Sequence, residues 1–429
     1  MTAINPTLSE WLKLLEERHP RAIELGLDRV EVVVEALDLQ NPAKFTFVIA
    51  GTNGKGSCCA FLETALRADG KSVGCYTSPH LLRFNERIKI DGEEVSDDAL
   101  CAVFDQVEQA RGETSLSYFE FTTLAALALF DAASLDVLIL EVGLGGRLDA
   151  VNVVDSDLAV ITSIDLDHQD WLGDNRESIG YEKAGVMRPG RPVVYGQADM
   201  PNSVLQHAAQ LGCTLLKRGD HFDVQLSGGA WDWTGCGVDN QPLQLRGLPL
   251  ASILVDNAAT AIQALFAGGF SLSQDALAEA LLNVSILGRQ QRFFVNEVEV
   301  ILDVSHNLAA IARLSSSMES CNGSTWAVMS AMADKDIDGL ILAMSTVVDH
   351  WIFADICGIE RAATAKQLQQ SAAGLGIASV EAKSSPALAL QAAIYSDAKP
   401  QRVVVFGSFH TVADVLQSKL LVGDSGGIE

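Results

Sequence analysis

Apolar and polar positions along the chain fall into two successive alternations of strand and helix. Residues 8–18 and 27–38 place apolar side chains at helical spacing, so two amphipathic helices open the chain. The apolar run Phe45–Ala50 reads as a strand that passes through a glycine-rich turn into a helix with Phe61, Leu62, Ala65 and Leu66 on one face. Val73–Tyr76 is a short strand, and residues 97–110 and 119–133 are expected to be helical. Val137–Leu140 and Leu158–Ile164 are unbroken apolar runs, the pattern of strands covered on both faces of a parallel sheet. Residues 182–187 read as helix and Val193–Tyr195 as strand. Between 213 and 247 short β-like pieces with Gly, Trp and Asp suggest a small extra β-layer, and helices at 252–267 and 273–283 close the first domain. After a break at Ile286-Leu287-Gly288-Arg289 come strands at 298–303, 325–330, 350–353 and 402–406. Helices at 308–317, 337–346, 363–373, 385–397 and from 409 alternate with them. This second alternation implies a smaller parallel sheet.

With 429 residues the chain exceeds the size of one ordinary core, which agrees with two domains. A hydrophobic share of 48% against 20% charged excludes general disorder. The formal net charge of −25, without any run of Lys or Arg, excludes nucleic acid and anionic membranes as partners. An anionic substrate must then be held by helix N-termini, a few placed cations or metal. Cys58, Cys59, Cys75, Cys101, Cys213, Cys236, Cys321 and Cys357 contain no CxxC pair, so buried reduced thiols are expected rather than a disulfide framework or zinc site. The first twenty residues lack the pattern of a secretory leader. The most apolar stretch, Phe121–Leu144, is interrupted by Asp131, Asp136 and Glu141 and cannot span a membrane. A soluble, cytoplasmic protein is expected.

The turn after Phe45–Ala50 is Gly51-Thr52-Asn53-Gly54-Lys55-Gly56-Ser57. Its glycines let several backbone N–H groups converge on one phosphate at a helix N-terminus, with Lys55 reaching terminal phosphates and Ser57 facing Mg²⁺. It departs from the ordinary Walker pattern: Gly56 separates Lys55 from Ser57, and Ile49 stands where a glycine is expected. The fold class expected is therefore α/β, a P-loop-containing parallel-sheet ATPase domain (residues 1–287) followed by a smaller Rossmann-like α/β domain (residues 288–429). Glu141 ends an apolar strand, where a carboxylate beside a phosphate loop suits Mg²⁺. His168 follows the next strand within Asp165-Leu166-Asp167-His168-Gln169-Asp170, so it reads either as a metal ligand or as a surface residue. Lys183, by composition, is an ordinary helix lysine. Gly143-Leu144-Gly145-Gly146-Arg147-Leu148-Asp149 lacks dinucleotide spacing but allows a ligand to approach the backbone closely. Asp303 and His306 either meet a nucleotide or help cap the next helix with Asn307. Arg289 sits at the break, where an ATP clamped between domains needs a cation. Ser408 and His410 begin a helix or line a cleft.

These segments, with Thr77-Ser78-Pro79-His80-Leu81, Arg83-Phe84-Asn85-Glu86-Arg87, Glu182-Lys183-Ala184-Gly185, Asp303-Val304-Ser305-His306-Asn307 and Gly407-Ser408-Phe409-His410, resemble the folylpolyglutamate synthase/dihydrofolate synthase family of the Mur ligase superfamily. Ser117-Tyr118-Phe119-Glu120-Phe121 points to the bifunctional bacterial branch. The resemblance implies that Thr52, Asn53, Gly54, Lys55, Gly56 and Ser57 bind ATP phosphates, with Asn257, Arg289, Asp303 and His306 also contacting ATP. It implies one Mg²⁺ near Ser57, Ser78 and Glu141 and a second near His168. Lys183 matches a lysine carbamylated in the superfamily, which makes it a further metal ligand. Lys55, Lys183 and His168 are then the catalytic set. The pterin is placed near Leu25, Gly26 and Leu27, Ser117 to Glu120 (including Tyr118 and Phe119), and Asp149, Ala150 and Val151. Tyr181, Leu287 and Leu308 depart from the usual family residues.

The implied reaction is ATP-dependent ligation of L-glutamate to 7,8-dihydropteroate and to tetrahydrofolates through an acyl phosphate, by a monomer with only small-molecule partners. Two alternatives stand beside it. One is a Mur-type ligase of cell-wall precursors. The other is a P-loop ATP-binding protein without ligase activity.

Overall fold

Why Phe45–Ala50 is so apolar becomes clear from its place near the middle of an eight-stranded sheet. In the computed structural model, residues 6–19, 24–39, 42–318, 323–378 and 380–421 are described. The chain divides into two compact units, Met1–Ser285 and Ile286–Glu429. In the first, β1 (Ala43–Ala50), β2 (Val73–Tyr76), β3 (Ile88–Ile90), β4 (Glu93–Glu94), β5 (Leu135–Glu141), β6 (Leu158–Ile161), β7 (Pro192–Tyr195) and β8 (Thr214–Lys217) lie in the order β4-β3-β2-β5-β1-β6-β7-β8. The pairings from β2 to β8 are all parallel, whereas β3 pairs antiparallel with β2 and β4 antiparallel with β3 at the edge.

Alternate strand residues face opposite layers. Val48, Ala50, Tyr76, Leu138, Leu140, Ala159 and Ile161 join the core beneath α1 (Leu8–Arg18), α2 (Asp28–Ala36), α4 (Asp97–Arg111), α5 (Tyr118–Ala133), α7 (Arg176–Ala184) and α8 (Asn202–Leu211). The opposite layer holds α3 (Lys55–Ala68), which packs on α9 (Val255–Ala267) and α10 (Gln274–Asn283). A short α6 (Gln169–Leu172) precedes α7. A separate antiparallel sheet of β9 (Asp223–Ser227), β10 (Ala230–Cys236) and β11 (Pro242–Pro249) buries Trp231 and Trp233.

The second unit has β12 (Gln291–Val295), β13 (Val298–Leu302), β14 (Thr325–Met329), β15 (His350–Ala354), β16 (Val380–Lys383) and β17 (Arg402–Phe406) in the order β12-β13-β17-β14-β15-β16. Only β12 is antiparallel. Ile301, Ala327, Met329, Phe353, Val404 and Phe406 face α11 (Leu308–Ser317), α12 (Ile337–Met344) and α13 (Ala365–Gly374). α14 (Pro386–Ile394) packs on α15 (Phe409–Gln417).

Several boundaries differ from the expected ones. The helix expected at 182–187 spans Arg176–Ala184, because Asn175 caps its start and Gly185 ends it. The strand expected at 158–164 stops at Ile161, since Thr162 and Ser163 turn to bind the phosphate loop. Helix α8 and strands β3, β4, β12 and β16 lacked a distinct apolar period. Cysteine burial is mixed: Cys58, Cys59, Cys75 and Cys236 are buried, Cys101 and Cys213 half-buried and Cys357 exposed, while Cys321 lies outside the described residues. No helix among the described residues is long and apolar enough to cross a membrane.

Candidate active site

The parallel register brings four strand ends to one edge. Ile49 of β1 pairs with Glu141 of β5, Ala50 with Ile161 of β6, and Tyr76 of β2 with Leu140 of β5. The segment after each strand therefore opens into one crevice at the carboxyl end of the sheet.

The phosphate loop is held rigidly from below. Thr52 N donates to Ser163 O at 2.8 Å and Asn53 N to Ser163 Oγ at 3.0 Å, while Thr162 Oγ1 donates to Asn53 O at 2.7 Å. Lys55 Nζ donates to Gly51 O at 3.0 Å, which folds the lysine back over the loop. Gly54 is the N-cap of α3 with φ of 91°, and a Cβ there would collide with Asn257 of α9. Only glycine fits, because the conformation is left-handed and the space is taken. The first-turn amides of α3 have no intrahelical acceptors and carry the positive end of a 14-residue helix.

The same turn passes over Glu141. A Cβ on Gly56 would lie 3.7 Å from Glu141 Oε2. Glu141 is 5% exposed, and Ser78 N donates to its Oε2 at 3.2 Å. Ser57, also buried, stands one residue past Gly56. His168 is the N-cap of α6 in a left-handed conformation (φ 51°, ψ 42°), held by its own N–H to Asp167 Oδ1 at 2.9 Å.

Lys183 is the largest departure from its sequence-based reading as an ordinary helix lysine. It is 4% exposed, and burial together with the positive charge of Lys55 lowers its amine to about 7, against opposing pulls from Asp167 and Asp149. Asp149 is equally enclosed. Burial raises its carboxyl to about 6, although the amides of Leu144 (2.8 Å) and Val151 (3.1 Å) donate to it and Lys55 acts the other way. Lys55, Lys183, Asp149 and Asp167 thus form one electrostatic cluster. The glycine loop after Glu141 lies against α7: Arg147 N donates to Glu182 O at 2.8 Å, and a Cβ on Gly146 would meet Glu182 O at 2.9 Å.

The segments expected to hold a flat organic substrate converge as well. Gly26 N donates to Leu148 O at 3.1 Å, which brings Leu25–Leu27 to the Asp149–Val151 turn. Phe119 lies against Gly143, where a Cβ would sit 2.7 Å from its ring, and its ring is 6.1 Å from Tyr76. Glu120, 2% exposed, is committed elsewhere: it accepts from Ser117 N at 2.7 Å and from Arg29 Nη2 at 2.7 Å. Arg29 escaped the sequence reading, whereas His80 and Arg87 entered it only as parts of the family motifs, without a role of their own. Arg87 Nε donates to His80 Nδ1 at 2.8 Å, and its guanidinium lies over Tyr118, whose burial pushes the phenol up to about 12.

Among the described residues no group of three or more His, Cys, Asp or Glu can hold a metal by itself. A sparse set of Glu141, Ser57 and Ser78 suits a cation that completes its shell with phosphate oxygens and water. The residues present fit such an ion.

Comparison with known proteins decides the family. A model described as Mur ligase, glutamate ligase domain, matches residues 288–409. The dihydrofolate synthase/folylpolyglutamate synthase of Escherichia coli strain K12 is 44% identical over 414 residues, covering 96% of this chain and 95% of its own. The chain belongs to the dihydrofolate synthase/folylpolyglutamate synthase family. Family resemblance extends to structure. E. coli FolC in complex with DHPP and ADP superposes with a TM-score of 0.90 at 43% identity, covering 96% of this chain and 97% of that one. The bifunctional folylpolyglutamate synthase/dihydrofolate synthase of Yersinia pestis complexed with AMPPNP and Mn ion gives 0.89 at 46%, covering 96% and 98%.

The part that carries the family's glutamate ligase domain has its own polar end. Asp303 is 4% exposed; it accepts from Ser305 N at 2.8 Å and Gln290 N at 3.0 Å. The cap of α11 is Asn307, which accepts from Ala310 N at 2.9 Å, so Asp303 is not the cap. His306 Nδ1 donates to Val304 O at 2.9 Å, which fixes the orientation of the ring. Its ring is 5.9 Å from Phe409, and the Arg289 guanidinium stands 5.5 Å over that same ring.

Proposed function

We propose that this chain, an ATP-dependent amide ligase by family, joins L-glutamate to 7,8-dihydropteroate and to tetrahydrofolates through an acyl phosphate. The observation that carries the reading is the phosphate loop packed over Glu141, with Lys183 buried within the field of Lys55. Residues 1–287 would bind nucleotide and pterin, and residues 288–429 would supply the ligase part.

The chemistry follows from what a carboxylate lacks. Its leaving group is oxide, so it cannot acylate an amine. The substrate carboxylate attacks the γ-phosphorus; a C–O–P bond forms, the β–γ bridge breaks and ADP leaves. The glutamate amine then attacks the activated carbonyl, phosphate departs, and the ammonium proton is released. The amides of Thr52 to Ser57 and the Lys55 ammonium hold the transferring phosphoryl group, and Asn257, Arg289, Asp303 and His306 are the further nucleotide contacts. Ser57, Ser78, Glu141, His168 and Lys183 would hold up to two divalent ions, which neutralise charge on the phosphates when bound. Catalysis is then chiefly positioning and charge neutralisation.

Lys183 gains a role from its burial. An amine lowered to about 7 holds a substantial unprotonated fraction at neutral pH; that free amine can add CO₂ with release of a proton, which leaves an anionic carbamate beside Lys55. Leu25–Leu27, Ser117–Phe119 and Asp149–Val151 would enclose the pterin, with Glu120 fixing that wall from behind.

The test is ATP-dependent phosphate release with Mg²⁺ and glutamate, comparing 7,8-dihydropteroate, a tetrahydrofolate and no acceptor. Release driven by both acceptors is expected. Release driven by one narrows the reading to that activity, and indifference to both overturns it.

A further inference from the structure

A ring of side chains outside the catalytic set staples two of the segments assigned to the pterin. Leu25–Leu27 lies in neither a helix nor a strand. Its backbone reaches the turn before Asp149 through Gly26 N to Leu148 O at 3.1 Å, and Leu27, the N-cap of α2, makes no side-chain cap. A strip outside any ladder of hydrogen bonds takes its shape from whatever holds its flanks.

Glu24 is one flank, and both of its carboxylate oxygens are taken. Oε1 accepts from Arg29 Nη1 at 3.0 Å and Oε2 from His19 Nε2 at 2.7 Å. The other ring nitrogen, His19 Nδ1, lies 3.0 Å from Ser115 Oγ. Arg29 continues the chain through Nη2 to Glu120 Oε1 at 2.7 Å, and Glu120 Oε2 accepts from Ser117 N at 2.7 Å. The path thus leaves the turn between α4 and α5 at Ser115 and returns to it at Ser117. On the way it passes His19, the C-cap of α1, and Arg29 in the first turn of α2. Arg111 Nη1 fixes the same turn from α4 by donating to Thr114 O at 3.1 Å.

The ring is largely closed to water. The side chains of His19 and Glu120 are 6% and 3% exposed, and those of Glu24 and Arg29 are 27% and 28% exposed. Charge-assisted bonds in such surroundings hold geometry better than exposed pairs do.

We propose that His19 is a positioning residue for the acceptor. It ties Glu24 to Ser115 and so sets the Leu25–Leu27 strip against the Ser117–Phe119 wall before the pterin arrives. Preorganisation of this kind is expressed in affinity, because the ordering cost then falls on folding and not on binding. The inference rests on the ligase reading above, which assigns both segments to the pterin.

The experiment is steady-state phosphate release by the full chain with saturating ATP, Mg²⁺ and glutamate, titrating 7,8-dihydropteroate. His19→Ala should raise the KM for 7,8-dihydropteroate by about tenfold, the scale of losing one or two enclosed hydrogen bonds. The kcat and the KM values for ATP and glutamate should stay nearly constant, the pattern of lost binding rather than lost chemistry. His19→Gln keeps an amide donor for Glu24 and should recover most of the loss. Ser115→Ala, at an exposed position, should fold as the parent does and raise the same KM about twofold. Adding it to His19→Ala should change nothing further, because both remove the same link. An unchanged KM for 7,8-dihydropteroate in folded His19→Ala, or an equal rise in the KM for ATP, overturns the assignment. If His19→Ala does not fold, an unchanged KM in Ser115→Ala overturns it. If 7,8-dihydropteroate drives no release by the unsubstituted chain, the ligase reading fails instead.

Discussion

Ser78 N donates to Glu141 Oε2 across 3.2 Å, tying the segment after β2 to the last residue of β5. The bond holds a nearly buried carboxylate directly beneath the phosphate loop. Glu141→Gln keeps an oxygen for the Ser78 amide and removes the charge. The fold should therefore survive, while kcat/KM falls by about 10²–10³, as when one charge-stabilising group is removed from an active site. Steady-state assays over a Mg²⁺ titration would also show a raised requirement for the metal. Near-normal turnover at low Mg²⁺ would exclude Glu141 as a metal ligand.

The loop above it should be intolerant of a single methyl. At Gly54 the φ of 91° strains any other residue, and the added Cβ would collide with Asn257. Gly54→Ala should cost about 1–3 kcal/mol of local strain and abolish nucleotide binding. Combining it with Asn257→Ala relieves the collision and leaves the left-handed backbone. Nucleotide affinity, measured by calorimetry, should therefore stay low in the double variant. Recovery would mean that space, and not backbone conformation, sets the glycine.

How much of this was legible depends on the range of the interaction. The phosphate loop is local: strand, glycines, lysine and helix are contiguous, so pattern and chemistry coincide within Phe45–Leu66. The end of β5 was legible for the same reason, because an unbroken apolar run stops at a carboxylate. Lys183 was marked only by the family resemblance and not by the pattern, because nothing in Glu182-Lys183-Ala184-Gly185 tells that the surrounding chain will bury its amine. The Arg29–Glu120 pair joins residues 91 apart and has no short-range trace. The antiparallel edge strands β3 and β12 were missed because short, half-exposed strands carry little apolar period.

Asp149 should make stability depend on pH with a defined sign. Its carboxyl is raised from 3.8 to about 6, so between those values the native state holds a proton that the unfolded chain has lost. Stability from this group is full below pH 3.8 and is lost as pH rises through 6. Asp149→Asn, neutral throughout and still an acceptor for one amide, should match the parent chain at the acid end of that window and gain on it above pH 6. Thermal melts at a series of pH values test the crossover. A difference between the two proteins that does not change with pH would show that Asp149 titrates alike in both states.

Arg29 tests whether the wall behind the pterin segments acts through position. Its guanidinium reaches Glu120 at 2.7 Å and Glu24 at 3.0 Å, and so links the start of α2 to the cap of α5. Arg29→Ala leaves the Glu120 carboxylate enclosed with one partner fewer, which should cost about 1–3 kcal/mol. The KM for 7,8-dihydropteroate should rise while that for ATP stays constant. Glu120→Gln alone should cost less, since the Ser117 amide keeps its acceptor. The double variant should cost less than the sum of the two, because each removes the same bond. Strict additivity in the melting data would mean that the 2.7 Å contact contributes nothing, and the raised acceptor KM would then need a cause outside this pair.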